Sequence, residues 1–150
     1  MGLEGLFVKA EEKDVVGFRL RVRCAKILGY FGIAPLKVST DLKECYQIRS
    51  TFLHGHQLTE RDKAKLLRKL SYESLDALLL SLFDYLRVAI IFMMFEQIKY
   101  ATVGKNALIT LIDNSLIDNS LIDRNADREL TYMAGEIVAA ANAWQGQVAN

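Results

Sequence analysis

The stretch LDALLLSLFDYLRVAIIFMMF, Leu75–Phe95, decides the fold. Its length and apolarity raise a membrane question, because roughly 20 apolar residues in a helix cross a bilayer core. The stretch also carries Asp76, Asp84 and Arg87. At about 100° per residue these fall on one helical face, beside Glu73. Charges gathered into one stripe describe the core helix of a soluble bundle with a narrow wet side, so no membrane span is expected.

The chain around it agrees with a helical reading. One proline in 150 residues, with abundant Leu, Ala, Lys and Glu, favours helix. Apolar residues make up 51% and charged residues 25%, a composition that folds instead of staying disordered. The length suits one domain with a single core. The fold class expected is all-α, an antiparallel bundle of about four to six helices.

Before Leu75, Thr59 with Asp62 three residues later starts a helix that runs toward Tyr100, either unbroken or interrupted near Ser71. Asp41 with Glu44 makes a similar start for the helix before it, which stops at Gly55. Asp14 caps a helix ending near Gly29, where Gly29, Gly32 and Pro35 punctuate the chain. Leu3 to Val8 reads as the end of a helix. Beyond Tyr100, residues 102–105 form a turn and Asn106 to Asp113 a short helix. LIDNS LIDNS LIDR, Leu111–Arg124, steps by five, which rotates a helix by about 140°, so its Leu-Ile pairs cannot share a face. It is too short for a solenoid unit and is assigned no function. In the tail, residues 125–150, Leu130, Met133, Ile137, Ala141 and Trp144 form a narrow apolar seam that packs on its own bundle or on a partner.

Cys24 and Cys45 follow no metal-ligand spacing and read as buried free thiols of a reducing compartment. No metal site and no cofactor are expected. The N-terminus has no basic n-region or long apolar run, and Leu6 stands where myristoylation needs Ser or Thr. A cytoplasmic location is expected. Net charge is +1 but uneven: Arg19 to Lys69 holds twelve Lys and Arg against four Asp and Glu. One basic stretch in a near-neutral chain suits a side that faces a polyanion.

The chemistry concentrates in Ile48–His56, IRSTFLHGH, which holds a guanidinium, two hydroxyls and both histidines of the chain. On a helical wheel Leu42, Cys45, Tyr46, Phe52 and Leu53 form the apolar stripe, and Arg49 falls in its middle. An arginine there needs a partner, a wet groove or a second subunit. A structural ion pair with Asp84 or Glu73 is the plain reading. His54 sits in the last turn, where the helix C-terminus favours imidazolium. His56 reads as loop.

The run Arg49 to His54 fits the R-x4–6-H pattern of the HEPN superfamily, and RSTFLHG resembles the version in Apea-like HEPN domains. Leu3 to Phe7 resembles the end of that family's first helix, most of which is then missing. Phe18 to Gly29 resembles its second helix, Tyr46 to Gly55 its motif helix and Leu86 to Phe92 a later one. The resemblance thus covers residues 3–124, and it makes residues 1–124 a HEPN-like helical domain. It implies an all-α bundle that dimerises by bringing two motif helices together. It also implies metal-independent RNA cleavage, in a defence or toxin setting, with Arg49 and His54 as the catalytic pair and Ser50 beside them. Many HEPN families carry Asn, Asp or His where this chain has Ser50, and members with altered motifs act as non-catalytic dimerisation or partner-regulating modules.

The chemistry suits these residues. RNA supplies its own 2′-hydroxyl nucleophile, so the protein must move a proton and steady a phosphorane. His54 would move the proton and Arg49 would fork onto phosphate oxygens. Arg19, Arg23 and Lys26 on one helical face, and Arg61, Lys65 and Arg68 on another, are the candidate phosphate contacts. The expected partners are a second copy through the motif helix, RNA, and an antitoxin or larger parent protein.

Overall fold

Proline, glycine and capping side chains set where the helices begin and end. The computed structural model describes residues 2–12, 15–55, 57–99, 104–116 and 124–148. Within them lie seven helices and no strand: α1 (Gly2–Phe7), α2 (Val16–Tyr30), α3 (Pro35–Leu53), α4 (Glu60–Leu70), α5 (Leu75–Lys99), α6 (Lys105–Asn114) and α7 (Arg124–Val148). The fold is the expected all-α helical bundle, and of the two readings of the run from Thr59 the interrupted one holds, because Ser71 breaks it. Ser71 takes φ +58° and caps α4 in the left-handed region.

Thr59 starts α4 as its spacing suggests. Its hydroxyl accepts from the Asp62 N–H, and the Asp62 carboxylate accepts from the Thr59 N–H. The start of α3 differs from expectation. It begins at Pro35, whose fixed φ and missing N–H suit a first helical turn, and not at Asp41. Asp41 therefore lies inside the helix, fully buried, and caps nothing. Its carboxylate accepts from the Tyr72 hydroxyl at 2.7 Å, the Tyr85 hydroxyl at 2.8 Å and Lys37 Nζ at 2.8 Å. Glu44 likewise takes Lys69 Nζ at 2.8 Å instead of completing a capping box. Asp14, expected to cap α2, lies outside the described residues.

Helix α2 holds the centre and packs against α1, α3, α5, α6 and α7. Its Leu20, Cys24, Ile27 and Leu28 enter one core with Val38 and Leu42 of α3, Phe92 of α5 and Leu108 of α6. Leu130, Met133 and Ile137 of α7 join that same core, so the tail packs on its own bundle. Ala141 is exposed, and the Trp144 side chain and residues 117–123 of the LIDNS repeat lie outside the described residues. Helix α4 closes a smaller cluster of Leu66 and Leu70 with Leu78 of α5.

Helix α5 departs from the core helix with a narrow wet side that its charges suggested. Leu75–Phe95 has mean hydropathy 2.0, yet only 28% of it is buried, and by length and composition it could cross a membrane. Leu79, Leu80, Phe83 and Met94 are half or more exposed, on the face that carries Asp76, Asp84 and Arg87. Charge marks the outer face correctly but does not show its width, because leucines fill the gaps between charged positions.

Candidate functional site

The site is the last half of α3 and what packs beside it. The helix ends because Gly55 turns left-handed at φ +78°. There the His54 N–H donates to the Ser50 carbonyl and the Gly55 N–H to the Phe52 carbonyl. Ser50 and His54, four residues apart, lie on one side of this last turn, and both are exposed. Arg49 leaves the helix about 140° from His54 and enters a groove against α1 and α5. One copy of the chain therefore presents the two motif residues on different faces. His56 lies outside the described residues.

Arg49 has the ion pair that its place on the apolar stripe requires, but with a different partner from those expected. Nη1 donates to Glu4 Oε1 of α1 at 2.7 Å, and neither Asp84 nor Glu73 takes part in that pair. The guanidinium also lies 5.7 Å from the centre of the Tyr46 ring. That ring packs against α2 where Gly17 leaves room, since a Cβ there would meet it at 3.2 Å. The Arg49 side chain stays 35% exposed.

Arg49 stands between two open cavities. The smaller, about 250 Å³, is lined by Leu3 and Glu4 of α1, Tyr46 of α3 and Phe83 of α5. The larger, about 570 Å³, is lined by Ile48, Phe52 and Leu53 of α3, Lys63 of α4, and Leu75 and Leu78 of α5. Cys45, Arg49, Leu79 and Leu82 line both, so the two form one apolar groove along α3 and α5 with Arg49 between them. Burial pushes the Cys45 thiol up to about 11, with Asp41 and Glu44 adding to the shift, and Cys24 up to about 12. Both thiols are free and protonated at neutral pH, which makes them poor nucleophiles.

No family model, curated protein or solved structure matches the chain.

The basic residues divide into two sets. Arg23, expected to face phosphate, is 2% exposed and serves the core instead. Its Nε and Nη2 grip both oxygens of Asp113, Nη1 and Nη2 take both oxygens of Glu12, and Nη1 also donates to the Phe7 carbonyl. The hydrogen bond from Arg23 holds the Glu12 carboxyl well below the usual range, at about 2, against an opposing burial effect. Arg19 pairs with the same Glu12, and Lys26 pairs with Asp127 of α7, which also accepts from the Tyr30 hydroxyl. The expected phosphate-binding face of α2 is thus neutralised by carboxylates from other parts of the chain. Arg61, Lys65 and Arg68 remain exposed on α4.

Sequence reasoning missed Glu4, Glu12, Asp113 and Asp127 as partners, and Lys63 as a lining residue. One signal was available for Arg23. On a wheel it lies beside Ile27 at the edge of the buried stripe of α2, the same anomaly that marks Arg49. Among the described residues, no group of three or more His, Cys, Asp or Glu could hold a metal ion.

Proposed function

We propose that the chain is a HEPN-like module that pairs with a second copy through the α3–α5 face around Arg49. The observation that carries this reading is the open apolar groove with its exposed rim of Phe52, Leu53, Leu79 and Phe83. Contiguous apolar surface of this kind marks interaction sites, and two-fold pairing lets one patch cover itself. Asp84 and Arg87, paired at 2.9 Å on the outer side of α5, support a face that meets water or protein instead of lipid. Sedimentation over a range of concentrations tests the pairing. A dimer is expected, converted to monomer by Phe83→Glu with the helical content retained. A wild-type chain that stays monomeric at every concentration overturns it.

A second reading is favoured by the exposed Ser50 and His54 and by the cations of α4. On it, the paired motifs cleave RNA without a metal ion. His54 of the last turn takes the 2′-hydroxyl proton or returns one to the leaving oxygen, and Arg49 steadies the phosphate. RNA cleavage in EDTA, lost in His54→Ala with the dimer intact, is the expected result, and unchanged cleavage by that variant overturns it. The alternative, a non-catalytic dimerisation or partner-regulating module, draws its support from Arg49 being held by Glu4.

A further inference from the structure

We propose that Glu4 occupies, from within the chain, the oxyanion position of Arg49, so that α1 competes with an RNA phosphate for the motif arginine; this rests on the ribonuclease reading. The contact is a single point among the described residues, Nη1 to Oε1, on a guanidinium built for a two-oxygen fork. Arg23 shows what a permanent structural arginine looks like in this fold, with all five N–H groups engaged and almost no exposure. Arg49 is a third exposed and also lines the larger cavity, whose one other cation among the described residues, Lys63, is paired with Glu60. Glu4 lines only the smaller cavity, so the larger one reaches the Arg49 guanidinium without passing the carboxylate. Phe7, fully buried, anchors α1, so release of Arg49 proceeds by movement of the Glu4 side chain and not by undocking of the helix. Side-chain rotation of that kind is fast, whereas undocking a helix is not.

The test measures the affinity of the full chain for a fluorescently labelled single-stranded RNA oligonucleotide in EDTA, together with cleavage of the same RNA. Glu4→Gln should bind about two- to five-fold more tightly, the range expected for loss of a partly exposed ion pair, and should cleave faster. Glu4→Asp, one methylene shorter, should show a smaller gain, and it carries the test if Glu4→Gln does not fold. Combining Glu4→Gln with Arg49→Gln should abolish the gain. Unchanged or weaker RNA binding by Glu4→Gln, with His54-dependent cleavage in the wild type, overturns the competition and leaves the ribonuclease reading standing. A gain that persists without Arg49 also overturns it. Absence of RNA binding and cleavage in every variant overturns both.

Discussion

Arg23 and Arg49 look alike in the sequence and differ in the fold. Each sits on or beside the apolar stripe of its helix, and each was a candidate phosphate contact. Arg23 is 2% exposed, with two carboxylates and a backbone carbonyl taking all of its donors. Arg49 is 35% exposed and meets one carboxylate oxygen. A buried guanidinium must have its donors satisfied, whereas a half-exposed one can leave them to water or to a ligand. What separates the structural arginine from the available one is how many of its donors the fold has filled, and charge or spacing does not reveal that.

The largest effect should come from Arg23→Met. It leaves Glu12 with Arg19 alone among its cations, takes both donors from Asp113 and removes the donor to the Phe7 carbonyl. Breaking a buried pair from one side costs about 3–5 kcal/mol. Urea unfolding should show a loss of that size, and a loss below about 1 kcal/mol, the scale of surface pairs, would break the comparison.

A smaller effect should appear with acid. Glu12 titrates at 4.5 ordinarily and at about 2 in the fold, so through that window the unfolded chain binds the extra proton. Its contribution is complete above the unfolded value and is lost as pH falls toward the folded one. Urea midpoints measured across this window should fall with pH in the wild type and more shallowly in Arg23→Met. Equal slopes would detach Glu12 from Arg23.

The smallest effect should be on Arg49. Arg49→Met should cost about 1 kcal/mol or less, because the pair with Glu4 is partly solvated and the methionine keeps the apolar stem. Added salt should narrow even that difference. A loss matching that of Arg23→Met would make Arg49 a second structural arginine and remove the basis for its release from Glu4.

Local signals were legible and distant ones were not. Thr59 and Asp62 announce the start of α4 because both halves of the cap lie within one turn. Gly55 announces the end of α3 for the same reason. Asp41 and Glu44 have the same spacing as a cap, but the partners of Asp41 are Tyr72 and Tyr85, 31 and 44 residues away. Pro35 starts the helix six residues before Asp41, and no rule about Asp41 alone shows it. The wheel correctly made Arg49 an anomaly that needed a partner. It offered Asp84 on α5 and Glu73 just before that helix, while α1 brings Glu4 from 45 residues upstream. The α2 cations misled for the same reason: Glu12, Asp113 and Asp127 reach them only through tertiary packing.

The early start of α3 has a mechanical consequence. At 19 residues the helix is about 28 Å long. Asp41 clamps its first half to two tyrosines, Glu44 adds one tie to α4, and Arg49 adds a single tie to α1. The final turn, from Ser50 to Leu53, projects past all of them. The helix is a cantilever, stiff at its root and compliant at the tip that carries the motif. Amide exchange should grade along it, from global unfolding near Asp41 to local fraying near Leu53. A molecule that grips the tip can therefore order it without disturbing the core at the root.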